Sequence, residues 1–125
     1  MKVIAIDHVQ LAMPAGQEDA ARRFYEGLLG LTEVPKPPHL AVRGGAWFES
    51  EGVKVHLGVD PDFRPARKAH PGLRVSDLRG LLEALRAAGH AISEGDAGDA
   101  EDHVYVDDPF GNRLELIGRA RVPSP

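Results

Sequence analysis

The chain has 125 residues, 42% of them apolar and 27% charged, which fits one soluble domain with a single core and no need of staples. Its 15 Lys and Arg against 19 Asp and Glu give a formal net charge of -4, so nucleic acid and anionic membrane are not expected as partners. The absence of cysteine excludes disulfide frameworks, Cys-type zinc sites, iron-sulfur clusters and thiol nucleophiles, leaving the 6 His and the carboxylates as candidate metal ligands. No apolar run approaches a membrane span and the Met1-Lys2-Val3-Ile4 start soon meets Asp7 and His8, so the expected address is the cytoplasm.

Val3 to Met13 alternates between apolar and polar parities and predicts a strand, broken at Pro14-Ala15-Gly16. Gln17 to Leu29 places Ala21, Phe24, Tyr25, Leu28 and Leu29 at helical spacing, with Glu18 and Asp19 in the first turn and Gly30 as C-terminal cap. A Pro-rich passage from Pro35 to Pro38 leads through Gly44 and Gly45 to a short strand at Trp47 and Phe48. After Glu51-Gly52, the residues Val53, Val55, Leu57 and Val59 alternate with Lys54, His56 and Gly58, completing a β-hairpin.

Asp60 to Ala69 reads as a linker, and the pattern then restarts. Leu73 and Val75 alternate with His70, Gly72 and Arg74, and Ser76 or Asp77 caps a helix whose apolar face is Leu78, Leu81, Leu82, Leu85 and Ala88, ended by Gly89. Ala91 to Ser93 predicts a short strand, and Ser93 to Asp102 an acidic, solvated loop without the ordered ligand spacing of a calcium site. A second hairpin runs from His103 to Val106, through Asp107 to Asn112, and back along Arg113 to Ile117. The halves are the same unit twice: His8 to His70 is 62 positions, Trp47 to Tyr105 is 58, and His56 to Glu115 is 59.

On these residues the chain resembles the vicinal oxygen chelate superfamily, which includes glyoxalase I, extradiol dioxygenases and the fosfomycin- and bleomycin-resistance proteins. The resemblance spans the chain and rests on Ile6-Asp7-His8-Val9, on Phe24-Tyr25 with Leu29-Gly30-Leu31, and above all on Asp108-Pro109-Phe110-Gly111-Asn112-Arg113-Leu114-Glu115-Leu116. It implies an α+β domain over residues 1–125 of two βαβββ modules, about 1–60 and 69–119. Their mixed sheets would form an open cup around a divalent metal, with helices outside.

Family members that bind metal take ligands from the first and last strands of each module, positions that match His8, His56, His70 and Glu115. Strand parity agrees, since each lies opposite the Val and Leu residues that would cover the helices. Three imidazoles and a carboxylate suit zinc, nickel, cobalt, manganese or iron(II). The set departs from the glyoxalase pattern, in which the position of His56 is commonly Glu, and Pro71 beside His70 cannot donate to a ladder. His39, His90 and His103 have no such company and read as surface or structural.

The same parity places Gln10, Lys54, Arg74 and Arg113 inward as substrate-binding residues, while Trp47 and Tyr105, at equivalent places in the two hairpins, would be walls of an apolar slot or equally well core packing. The cations would favour an anionic substrate. The expected function is a metal-dependent lyase or isomerase acting on a small chelating molecule, with Glu115 as both ligand and catalytic base. The alternatives are a metal-free sequestering protein of the bleomycin-resistance type and an iron(II) dioxygenase. A homodimer is expected, because each cup would otherwise leave a strand edge open.

Overall fold

A computed structural model describes residues 1–95 and 101–119. The chain divides into two compact units, residues 1–65 and 66–125. In the first, β1 (Val9–Met13) is followed by a helix, α1 (Glu18–Ala21), that continues in π-helical winding over Arg22–Glu26. Then come β2 (Thr32–Val34), a single helical turn α2 (Pro38–Ala41), β3 (Ala46–Ser50) and β4 (Val53–Val59). In the second, β5 (Gly72–Arg74) precedes α3 (Leu78–Ala87), β6 (Ile92–Glu94), β7 (Glu101–Asp107) and β8 (Arg113–Arg119). The sheets have the orders β1-β4-β3-β2 and β5-β8-β7-β6, in each of which the first strand runs parallel to the last and the others pair antiparallel. Each unit is therefore βαβββ with a mixed four-stranded sheet, the same topology twice.

Each sheet has one apolar face covered by a helix. In the first unit Val55, Leu57, Phe48, Ala46 and Met13 are buried, and Tyr25 stacks on Phe48 with ring centroids 5.5 Å apart. The π winding is made by bonds from Gly27 N to Arg22 O and from Leu29 N to Phe24 O, at 3.0 and 2.9 Å. It ends the helix at Glu26, short of the expected Leu29, with sequence neighbours Phe24 and Tyr25 both buried. In the second unit Val104, Val106, Leu114 and Leu116 alternate as the buried parity of β7 and β8. Here Gly118 lets α3 approach: a Cβ on it would stand 2.6 Å from the Leu78 Cβ. Asp77 caps α3, its carboxylate accepting from Gly80 N at 3.0 Å.

Several boundaries differ from the sequence reading for reasons of partnership. The first strand begins at Val9, not Val3, with Val9 opposite Val55 of β4. In that parallel register the start of β4 at Val53 falls opposite Asp7, so residues upstream of Asp7 run past the end of β4, and Val3, Ile4 and Ile6 are exposed. The strand β2 and the turn α2 lie in a Pro-rich stretch whose composition hid them; Pro38 sits in the first turn of α2, where no backbone donor is required. Strand β7 begins at Glu101, so Glu101 and Asp102 belong to a strand, while Asp96 and Asp99 of the expected acidic loop lie outside the described residues. Pro71 precedes β5 and serves as an acceptor: its carbonyl receives Glu115 N at 3.0 Å, so its missing N–H costs the ladder nothing.

No helix among the described residues is long and apolar enough to cross a membrane.

Candidate functional site

The face of each sheet opposite its buried Val and Leu residues carries the candidate residues. Register in the first unit sets His56 beside Gln10 and Trp47, and Lys54 beside Glu49, all on the face opposite Val55 and Leu57. Gln10 lies across Gly58, where a Cβ would stand 2.7 Å from its amide nitrogen. His56 is 6% exposed and sandwiched between two rings: Trp47 at 4.1 Å with an interplanar angle of 6°, and His8 at 4.6 Å and 19°. Its Nε2 is 2.8 Å from Glu49 Oε2. His8 itself is exposed, with Nδ1 on Asp7 Oδ1 at 2.8 Å, a bond that holds the Asp7 carboxyl below its ordinary value. The two first-unit histidines thus meet face to face.

The second unit holds a tighter cluster. Its local origin is the turn before β8: Asp108 is buried, its Oδ1 accepting from Phe110 N and Asn112 N at 2.9 and 2.8 Å and its Oδ2 from Asn112 Nδ2 at 2.9 Å. Gly111 completes the turn at φ 91°, a left-handed angle that glycine adopts without strain. The motif that carried the family resemblance is therefore a hydrogen-bonded turn that fixes the start of β8 and so the register of Glu115. In that register Glu115 faces Gly72 on one side and Tyr105 on the other.

Both oxygens of Glu115 are held by histidines. Oε1 is 2.9 Å from His70 Nε2, and Oε2 is 2.5 Å from His103 Nδ1. These bonds, His103 first and His70 second, keep the Glu115 carboxyl below its ordinary value, so it stays anionic. The other nitrogen of His70, Nδ1, donates to the Lys68 carbonyl at 2.9 Å. Around the cluster, the His70 ring meets Tyr105 edge-on at 5.5 Å, and the Arg113 guanidinium lies 4.2 Å over the Tyr105 ring. Arg74, predicted to offer its charge to substrate, is paired with Glu101 at 2.5 Å.

His103, read from sequence as surface or structural, is thus a direct neighbour of Glu115. Sequence parity carried the signal, since His103, Tyr105, Arg113 and Glu115 share one face of the β7–β8 hairpin. His39 and His90 are not in this cluster.

Among the described residues no three His, Cys, Asp or Glu side chains are grouped to hold a metal ion, because His70 and His103 take opposite oxygens of Glu115. Two donors do fit one. Ligands bound at about 2.0–2.2 Å and roughly at right angles lie about 3 Å apart, the separation of His70 Nε2 and Glu115 Oε1. The Nδ1–H···O=C bond to Lys68 fixes the tautomer that leaves the Nε2 lone pair facing Glu115, the outer bond typical of ligating imidazoles.

Residues 9–117 match the model of the Glyoxalase-like domain. The chain belongs to that family. It is thereby a member of the vicinal oxygen chelate superfamily, and its paired βαβββ units have that superfamily's fold. It is similar to a protein from Bacillus anthracis described as of the glyoxalase family, at 38% identity and TM-score 0.89 over 96% of this chain and 98% of that one. The fosfomycin resistance protein FosX from Listeria monocytogenes shares the fold at 12% identity, TM-score 0.75, over 95% and 96% of the two chains. So does a glyoxalase/dioxygenase from Nostoc punctiforme, at 20% identity, TM-score 0.71, over 97% and 99%. No curated protein matches the sequence.

Proposed function

We propose that the chain is a metal-dependent enzyme of the lyase or isomerase type, acting on a small anionic molecule that chelates the ion through neighbouring oxygens. The observation that carries this reading is the His70 ring, anchored at Nδ1 on the Lys68 carbonyl and presenting Nε2 to a carboxylate oxygen 2.9 Å away. A bound divalent ion would supply Lewis-acid stabilisation of negative charge developing on substrate oxygens. His70 and Glu115 are its proposed holders. With a histidine nitrogen against each oxygen and a lowered pKa, Glu115 is better suited to ligation than to proton abstraction, which weakens the role of catalytic base expected for it. Arg113, spread over Tyr105 two residues from Glu115 on the same strand, supplies positive charge for an anionic group.

The metal-free alternative draws support from the first unit, where His56 is already committed to Trp47, His8 and Glu49 as a polar lining would be. A homodimer is part of the proposal: β1 and β5 are edge strands of their sheets, and Val3, Ile4 and Ile6 are exposed apolar side chains.

Elemental analysis of unchelated protein, followed by titration of the stripped chain with zinc, nickel, manganese, cobalt and iron(II), tests the reading. About one equivalent is expected, abolished in His70→Ala and Glu115→Ala, with His8→Ala and His56→Ala showing whether either adds a donor. Wild-type protein that takes up none of these ions would select metal-free sequestration. Light scattering at the mass of one chain over a wide concentration range would remove the dimer.

A further inference from the structure

Glu115 has two carboxylate oxygens, and they are not equivalent. Oε1 faces His70 Nε2, whereas Oε2 is taken by His103. His103 lies on β7 opposite Ile117, one step diagonal from Glu115 on the same face, a separation that a histidine and a glutamate side chain bridge. The bond between them has an anionic carboxylate as acceptor, the stronger class of hydrogen bond. The far side of the ring looks toward a second carboxylate. His103 Nε2 faces Glu101 Oε2 at 4.0 Å, and Glu101 is in turn fixed by Arg74 through two contacts, at 2.5 and 3.4 Å. The ionisable groups thus run Arg74, Glu101, His103, Glu115 and His70 across one sheet face.

We propose that His103 is a positioning residue for Glu115: by donating from Nδ1 to Oε2 it orients the carboxylate so that Oε1 alone, beside His70 Nε2, meets a divalent ion. The inference deepens the metal-site reading above and rests on it. A carboxylate whose second oxygen is occupied binds through one oxygen, and the coordination position thereby spared is open to a chelating substrate. Without the donor, the terminal torsion of Glu115 is free to turn, and Oε2 competes for the ion or swings away from it. Outer-sphere partners of this kind change metal affinity about 10–100-fold when lost. The sequence could not distinguish this role from a structural one, because it depends on which oxygen the ring reaches.

The test is cobalt(II) titration of the stripped full-length chain, followed by absorption, for wild type, His103→Asn and His103→Leu, with thermal unfolding of each metal-free form alongside. An asparagine amide nitrogen occupies roughly the place of Nδ1 and keeps the donor; leucine fills similar space without one. Wild type and His103→Asn are expected to bind within a few-fold of each other, and His103→Leu about 10–100-fold more weakly, with the two variants unfolding at similar temperatures. Wild-type affinity in His103→Leu would overturn the positioning role while leaving the metal site standing. Equal loss in both variants, without restoration by asparagine, would also overturn it and make the imidazole itself a ligand. Absence of cobalt(II) binding by wild type would overturn this inference together with the metal reading, an outcome distinct from both others.

Discussion

His56 and Trp47 are cross-strand neighbours whose rings stack nearly parallel, 4.1 Å apart and tilted by 6°. The pair occupies the face of the first sheet opposite Val55 and Leu57, and His8 closes the stack from the other side. This contact gives a polar face a packed centre.

Removing the indole should therefore cost stability as a core change does. Trp47→Ala is expected to lower the unfolding free energy by roughly 2–3 kcal/mol, less than a fully buried aromatic loses because the ring is half-exposed. His56→Phe keeps the stack and loses the bond to Glu49, so it should cost less than Trp47→Ala. Urea unfolding followed by circular dichroism checks both, and a neutral Trp47→Ala would show that the stack is incidental.

The buried Asp108 carboxylate accepts from two backbone amides and the Asn112 side chain. Asp108→Ala leaves these donors unsatisfied and should destabilise the protein by roughly 2–4 kcal/mol, with Asp108→Asn losing less because one acceptor remains. Since the turn sets the register of β8, metal uptake should fall with it. Urea midpoints and cobalt(II) titration of the same samples measure the two effects.

Arg74 lowers the Glu101 carboxyl from its ordinary 4.5, chiefly through their side-chain hydrogen bond. A carboxyl depressed in the folded state binds fewer protons there than when unfolded, so its contribution is complete above the ordinary value and disappears as pH falls through the folded one. Arg74→Met should thus be less stable than wild type at pH 7, by a small amount because the pair is exposed, and the gap should narrow below about pH 4.5. Denaturant midpoints across that range that differ by a constant amount would refute the assignment.

If Arg113 supplies charge to an anionic ligand, Arg113→Met should weaken binding of a 2-oxo acid by about 1–3 kcal/mol and leave its neutral amide analogue nearly unchanged. Added salt should narrow the wild-type preference. Calorimetry on both ligands decides it: equal losses would mean that Arg113 supports the strand through Tyr105, its ring partner at 4.2 Å.

The duplicated pattern of apolar spacing, caps and turns made a repeated unit of strand, helix and hairpin legible, because strand and helix periods are local properties and Asp77, Gly89 and the Asp108 turn act within a few residues of themselves, whereas β2 stayed hidden beside the Pro-rich stretch. Parity likewise placed His56 and Gln10 on one face of the first sheet, and Glu115 and Arg113 on one face of the second, where His103, read as surface or structural, also stands. Tertiary structure alone decided where strands begin, since Val9 becomes a strand residue only through its partner Val55. It alone decided pairing as well: that Arg74 is met by Glu101, that His56 is committed to Glu49, and that His103 reaches Glu115. A period fixes the face on which a side chain stands, but its partner depends on strand register and on rotamers chosen by neighbours distant in the chain.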